Sequence, residues 1–312
     1  MLSVEEAREK ILGKTLTTPT ERVPIHEALG RILSEDIVSD MDSPPFSNSS
    51  MDGFAVIASD LSAANTMAPI TLDVVGDAPA GRISESSVKR GEAIRIMTGA
   101  PLPDGADSVA PVEITNINPH NAHDQLPEQV QVLAPVNRGD NVRPQGEDFS
   151  VGQIIFSRGR KLYPQDIGLL SMLGISKIPV HIQPKIGILS TGDELLDINE
   201  KLVPGKIRNS NAFLLAALVE DCGGKCIDLG IALDNETAIM ECLNHGVNES
   251  VDLLISTAGV SVGAFDFVRG VVERHGSLNF WKVTCGRENR WFMVNIKPFR
   301  SLDYPVTLFQ LM

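Results

Sequence analysis

The chain has 312 residues, 43% of them apolar, which is enough to build two or three domains with cores of their own. A formal net charge of −13 and a pI near 4.9 exclude the broad basic face that a nucleic acid or an anionic membrane would require. An anionic small ligand stays open, because one pocket can oppose the global charge.

The first residues, Met1 to Ala7, lack the basic start and apolar run of a secretory signal. No segment reaches the roughly 20 apolar residues of a membrane span. The four cysteines, Cys222, Cys226, Cys242 and Cys285, do not have zinc-site spacing. They are expected as free thiols in a reducing, cytoplasmic compartment. His120 and His123 sit among Asn, Asp and Pro and read as part of a solvated loop rather than a metal site.

In chain order, Ser3 with Glu6 makes a capping box, and Val4, Ala7, Ile11 and Leu12 recur on one face, so the chain opens with an amphipathic helix. A second helix is expected over roughly Ile25 to Leu33. After Ser43-Pro44-Pro45-Phe46 the texture changes. Short β-rich runs such as Ile70 to Gly76 and Gln129 to Leu133, split by Gly, Pro, Asn and Asp, predict a small all-β domain. A helix from Pro164 to Leu173 returns the chain to its earlier pattern. The expected domains are a helical linker domain (1–44 with 143–178), an inserted β-domain (45–142), an α/β domain (179–283) and an aberrant tail (284–312).

From about Ile182 strands and helices alternate. Strands are expected at Lys185 to Leu189, Lys225 to Ile231 and Leu253 to Ser256, and helices at Asn211 to Asp221, Thr237 to Asn244 and Phe267 to His275. This is a βαβ series with a parallel sheet. Two glycine-flanked acidic loops follow its strands, Leu189-Ser190-Thr191-Gly192-Asp193-Glu194-Leu195 and the run from Ser256 and Thr257 through Ala258, Gly259, Val260, Ser261 and Gly263 to Asp266. Such loops lie at the carboxyl ends of strands, where open α/β sheets bind ligands. Small residues let a phosphate or pterin approach backbone N–H donors. The carboxylates of Asp193, Glu194 and Asp266 suit a hard cation such as magnesium. In Asn209-Ser210-Asn211, either Ser210 or Asn211 could instead be the N-cap of the helix that follows.

Six segments in order, PPFSNSSMDGFA, IRIMTGAPLPDGAD, VRPQGEDF, LSTGDEL, IRNSNAFLL and GVSVGAFDFV, resemble the molybdopterin molybdenumtransferases, relatives of the E domain of gephyrin. The resemblance covers residues 1 to about 283. LSTGDEL alone is shared with molybdopterin adenylyltransferases; MDGFA with MTGAPLPDGAD is specific to the molybdate-inserting branch. The resemblance implies a MoaB/MogA-like parallel α/β domain, an inserted β-domain and a helical linker domain. It also implies a cytoplasmic homodimer in which one subunit's β-domain helps close the other's pterin cleft.

The implied reaction inserts molybdate into adenylylated molybdopterin and releases AMP, with Mg2+. It also implies adenylyltransferase and molybdoenzyme partners. Carried over residue by residue, Glu194, Asp266 and Asp234 are acids of the cleft, Asp52 and Thr98 the β-domain's contribution, and Asp148 a hinge-region acid. Asp193, Glu194 and Asp266 would hold the metal. Ser190, Thr191, Gly192, Asp193, Gly259, Val260, Ser261, Gly263, Asn209, Ser210 and Asn211 would bind the pterin. Two other readings stay open: an adenylyltransferase on the same sheet, and a non-catalytic pterin-binding scaffold.

Ala258 stands where the family loop begins with Gly. After Val283 the family's PGKP and GLPGNPVS segments and its C-terminal β-domain do not follow. Codons for residues 284–312, read one base out of phase, can spell MRPGKP and then GLPGNPVSA. The expectation is therefore a frame change near codon 284, a tail packed poorly apart from a fortuitous strand near Trp291 to Val294, and little turnover.

Overall fold

The computed structural model describes residues 3–13, 15–118, 125–257, 276–280, 292–296 and 306–311, the last three stretches as backbone. The chain opens with α1 (Val4–Leu12), whose Ser3 and Glu6 form the expected reciprocal cap. It then runs through β1 (Thr20–Pro24), β2 (Ile37–Val38), β3 (Asn48–Ser49), β4 (Gly53–Val56), β5 (Ile70–Ala78), β6 (Glu92–Ile96), β7 (Ser108–Pro111), β8 (Gln129–Val132), β9 (Val142–Arg143) and β10 (Ile154–Phe156). Next come α2 (Pro164–Met172), β11 (Lys177–His181), β12 (Lys185–Thr191), β13 (Leu195–Leu196), β14 (Ile207–Arg208), α3 (Ser210–Asp221), β15 (Lys225–Ala232), α4 (Glu236–Asn248) and β16 (Leu253–Thr257). Three further strands are β17 (Gly276–Phe280), β18 (Phe292–Ile296) and β19 (Val306–Leu311).

These elements form two compact units. One contains Met1–Glu35, Gly159–Ser171 and Ile175–Met312; the other contains Asp36–Arg158 and Met172–Gly174.

The second unit is built on a five-stranded sheet in the order β7-β4-β6-β5-β8, antiparallel except for the parallel pair β5–β6. Alternate residues along β4 face opposite sides. Phe54 and Val56 join Leu72, Val130 and Val132 in one core, while Ala55 joins Ile94, Ile96 and Val109 in another. Both faces are therefore covered. Gly53 begins β4 with no room for a side chain: a Cβ there would lie 2.8 Å from the Pro111 Cα.

In the first unit, β1 pairs antiparallel with β11. The larger sheet has the order β15-β12-β16-β19-β18-β17. Its first four strands are parallel, and β18 and β17 add antiparallel at one edge. The crossovers β12–α3–β15 and β15–α4–β16 are the expected βαβ units. Ile186 and Ile188 of β12 pack with Val219 of α3, while on the opposite parity Leu254 and Leu229 are buried with Ile239 and Leu243 of α4.

One expectation is corrected. Ile25 to Leu33 is not a helix: only Ile25–Glu27 forms a single 3-10 turn. Gly30 then adopts φ +77, and Ile32 and Leu33 make β-bridges to Lys161 and Val180. The apolar spacing that reads as helical places Ala28 and Leu33 in the core from an irregular path. In the tail, β18 (Phe292–Ile296) overlaps the strand expected near Trp291 to Val294. At the level of backbone pairing β19 lies parallel to β16 from Leu253↔Thr307 to Thr257↔Leu311, and β18 pairs with it in turn. The helix expected over Phe267 to His275 lies outside the described residues.

Candidate functional site

β12 ends at Thr191 and the chain turns at Gly192, whose φ of +144 favours glycine. A side chain there would also collide with Glu194, because a Cβ would lie 2.6 and 2.8 Å from its carboxylate oxygens. The turn is held by backbone bonds: Gly192 N–H donates to the Ala232 carbonyl (3.3 Å) and Leu195 N–H to the Gly192 carbonyl (3.1 Å). The short parallel pair β13–β14 fastens the loop further, with Ile207 N–H donating to the Glu194 carbonyl (2.8 Å). Lys206 Nζ donates to the Asp193 carbonyl. Asp193 and Glu194 are consequently displayed to solvent on a braced turn.

Asp234, in the connection from β15 to α4, comes to the same place: its backbone N–H donates to Asp193 Oδ1 at 3.1 Å. Burial pushes the Asp234 carboxyl above the usual carboxylate range, and the nearby negative charges of Asp193 and Glu194 push it further. Three of the sequence-predicted acids are thus gathered at the carboxyl edge of the sheet. Crowded negative charge of this kind is relieved by a cation or by proton uptake. Hard carboxylate oxygens fit magnesium chemically. Among the described residues, however, no three acids or other ligating side chains converge closely enough to hold a metal ion. Asp266, the third expected ligand, lies outside those residues, as do Gly259, Val260, Ser261, Gly263, His120 and His123.

Ser190, Thr191 and Asn209 are buried beneath the loop. Thr257 Oγ1 donates to Ser190 Oγ (3.1 Å), and Ser190 Oγ donates to Asn209 Oδ1 (3.2 Å). Asn209 is the N-cap of α3, its Oδ1 also accepting from Ala212 N–H at 3.4 Å. This corrects the expectation that Ser210 or Asn211 caps the helix; both are exposed in its first turn. Ser256 and Thr257 open the second loop expected from the sequence, which gives them no role; the Ser256 Oγ is buried with no partner among the described residues. A signal was available, since in both central strands the aliphatic alternation ends in a hydroxyl residue.

The β-domain carries its own polar turn. Asp52 Oδ1 accepts from both Thr98 N–H and Thr98 Oγ1, each at 2.7 Å. Gly99 follows with φ +81. A cavity of about 310 Å³ opens beside Asp52, walled by Phe54, Met97, Val112 and Ile117 together with Arg95 and Asn116. Arg95 is held by Asp77 through bonds of 2.9 and 2.8 Å, and the Arg95 guanidinium draws the Asp77 carboxyl below its usual range. Asp148 accepts from Arg143 Nη2 on both oxygens (3.1 Å each) and from Ser43 Oγ (3.1 Å).

A parallel α/β sheet with a braced acidic turn at its carboxyl edge in one unit, and a β-sheet with an acid-and-hydroxyl turn in the other, define a small-molecule-binding protein of the pterin-handling class. Residues 2–174 match the family model described as MoeA N-terminal region (domain I and II), and residues 187–294 match the one described as probable molybdopterin binding domain. The chain belongs to the MoeA family. It is 36% identical over 323 residues to the molybdopterin molybdenumtransferase of Haemophilus influenzae, covering 100% of this chain and 76% of that protein. It is 36% identical over 276 residues to that of Bacillus subtilis, covering 88% of this chain and 63% of the relative. The MoeA protein of Pyrococcus horikoshii OT3 superposes with a TM-score of 0.81 at 32% identity, over 99% of this chain and 74% of that one.

Proposed function

We propose that this chain acts in molybdenum cofactor biosynthesis, inserting molybdate into adenylylated molybdopterin with release of AMP. The observation that carries the reading is the meeting of Asp234, from the β15–α4 connection, with Asp193 and Glu194 of the glycine turn at the end of β12, in a chain of this family. The turn presents Asp193 and Glu194 to solvent at the end of β12, where a pterin phosphate with its cation would be met. Asp234, whose carboxyl burial pushes above its ordinary value, is assigned as a further acid of the substrate cleft. Asp52 and Thr98 supply the second acid and hydroxyl to the substrate.

Asp193 and Glu194, with Asp266, would hold Mg2+, which neutralises phosphate charge beside the bond that breaks. We further assign the working form as a cytoplasmic homodimer. The free thiols of Cys222, Cys226 and Cys242 accord with a reducing compartment, and among the described residues no helix is long and apolar enough to cross a membrane. The large apolar side chains exposed on α3 support self-association.

The test is AMP release by the purified chain given adenylylated molybdopterin, molybdate and magnesium. Molybdate-dependent AMP release supports the reading, at the low turnover expected from the sequence after Val283. Adenylylation of molybdopterin from ATP instead would assign the adenylyltransferase reaction, and tight pterin binding with no AMP release would assign a scaffold.

A further inference from the structure

The α3-facing side of the sheet is aliphatic along its length until its last layer. In β12 the inward positions run Ile186, Ile188, Ser190; in β16 they run Leu253, Ile255, Thr257. Ser190 and Thr257 are register partners, so the two hydroxyls face each other across adjacent strands. At this layer Ser190 is 1% exposed, Thr257 4% and Asn209 8%. Their bonds run in one direction: Thr257 donates to Ser190, Ser190 donates to Asn209, and Asn209 Oδ1 closes the first turn of α3. Thr191 Oγ1 adds a bond to the Thr257 carbonyl at 3.4 Å.

Each hydroxyl proton is therefore spent inside the protein, in a place closed to solvent. Buried polar groups are costly unless paired, and a fully paired set fixes one arrangement. The chain of bonds ties three things that a pterin site needs in register. These are the residue before the Thr191–Glu194 turn, the last residue of β16, and the N-terminus of α3.

We infer that Thr257, Ser190 and Asn209 are positioning residues for the ligand site, a relay that sets the Thr191–Glu194 turn against the end of β16 and the N-terminus of α3, and that they act without touching the ligand. The inference rests on the pterin-binding reading above.

The test uses the full chain and adenylylated molybdopterin as the probe, with affinity by titration and the thermal midpoint measured together. Thr257→Val keeps the shape and removes the donor. It should weaken binding about tenfold, the scale of one buried hydrogen bond. Thr257→Ser should restore most of that affinity. Ile255→Val, one inward position earlier on the same strand, should lower the midpoint and leave affinity unchanged. If Thr257→Val does not fold, Ser190→Ala takes its place, since it breaks the relay at the middle. Binding unchanged in Thr257→Val, a Ser variant as weak as the Val variant, or an equal loss in Ile255→Val would each overturn the inference. Failure of the unaltered chain to bind the probe would overturn the pterin reading itself, and the inference with it.

Discussion

At the scale of single residues, the same carboxyl group serves structure and chemistry in separable ways. Asp52 holds the Thr98 turn through two charge-assisted bonds to one oxygen. Asp52→Ala removes both and is expected to lower stability by about 1–2 kcal/mol, the net worth of such bonds at a half-exposed site. Asp52→Asn keeps an acceptor oxygen and should keep the thermal midpoint. Under the proposed function both variants lose AMP release, because the charge is what meets the substrate. Full activity in Asp52→Asn would reduce Asp52 to a loop brace.

Asp166 is a purely structural counterpart. It is 2% exposed, takes bonds from Arg160 Nε and Nη2 (3.0 and 2.9 Å) and from Tyr163 N–H (3.0 Å), and opens α2. The Arg160 guanidinium holds its carboxyl below the usual range. A depressed folded-state value means that the unfolded chain takes up the proton first as pH falls. The stabilisation is thus complete above the ordinary carboxylate range and lost as pH drops through the folded value. Asp166→Asn should therefore be less stable than the parent near pH 7, with the gap closing below about pH 4 in denaturant titrations. A gap that does not depend on pH would refute the ion pair as its cause.

At the scale of elements, the strand–turn–helix succession was legible because each central strand is a short apolar run closed by glycine and a carboxylate. The expected Lys185 to Leu189 strand extends only to Thr191, and the expected Lys225 to Ile231 strand to Ala232. Ile25 to Leu33 was misread because its spacing fits a helix while its burial is met by bridges to Lys161 and Val180, contacts far away in sequence. Asn209 shows a subtler loss. A run of three good caps, Asn209-Ser210-Asn211, does not say which one starts the helix; Ser190, nineteen positions earlier, decides it by bonding to Asn209. The pairing of β19 with β16 was hidden because Val306 to Leu311 carries no motif, only a short, mostly apolar run with Thr307 and Gln310 that is able to extend a parallel sheet.

The β-domain offers a sharper element-level prediction. Gly53 begins β4 where a Cβ would strike the backbone of Ala110 and Pro111, which cannot swing aside like a side chain. Gly53→Ala should cost about 3 kcal/mol, at the upper end for overpacking. Chemical denaturation of the variant checks this; a change under about 1 kcal/mol would mean that β4 and β7 separate easily.

At the scale of the whole molecule, α3 poses a question that its own unit does not answer. Its inward side, Ala212, Leu215, Ala216 and Val219, is spent on the sheet. Its other side leaves Phe213 53%, Leu214 60% and Leu218 50% exposed. Residues three and four apart share a helix face, so Leu214 and Leu218 form a continuous stripe with Phe213 beside it. Scattered surface leucines need no explanation, but a clustered apolar face is costly in water and marks a contact surface. The net charge of −13 does not forbid pairing of two copies, because the stripe itself carries no charge. The expected outcome is a sedimenting mass of twice 33.7 kDa. Leu214→Glu with Leu218→Glu places two carboxylates on each side of the contact, where burial and like charge both oppose association. That double variant should sediment as a single chain with unchanged far-ultraviolet circular dichroism, since both positions face away from the sheet. A parent that sediments as a single chain would refute the homodimer. A parent dimer that survives the double substitution would place the contact on another face.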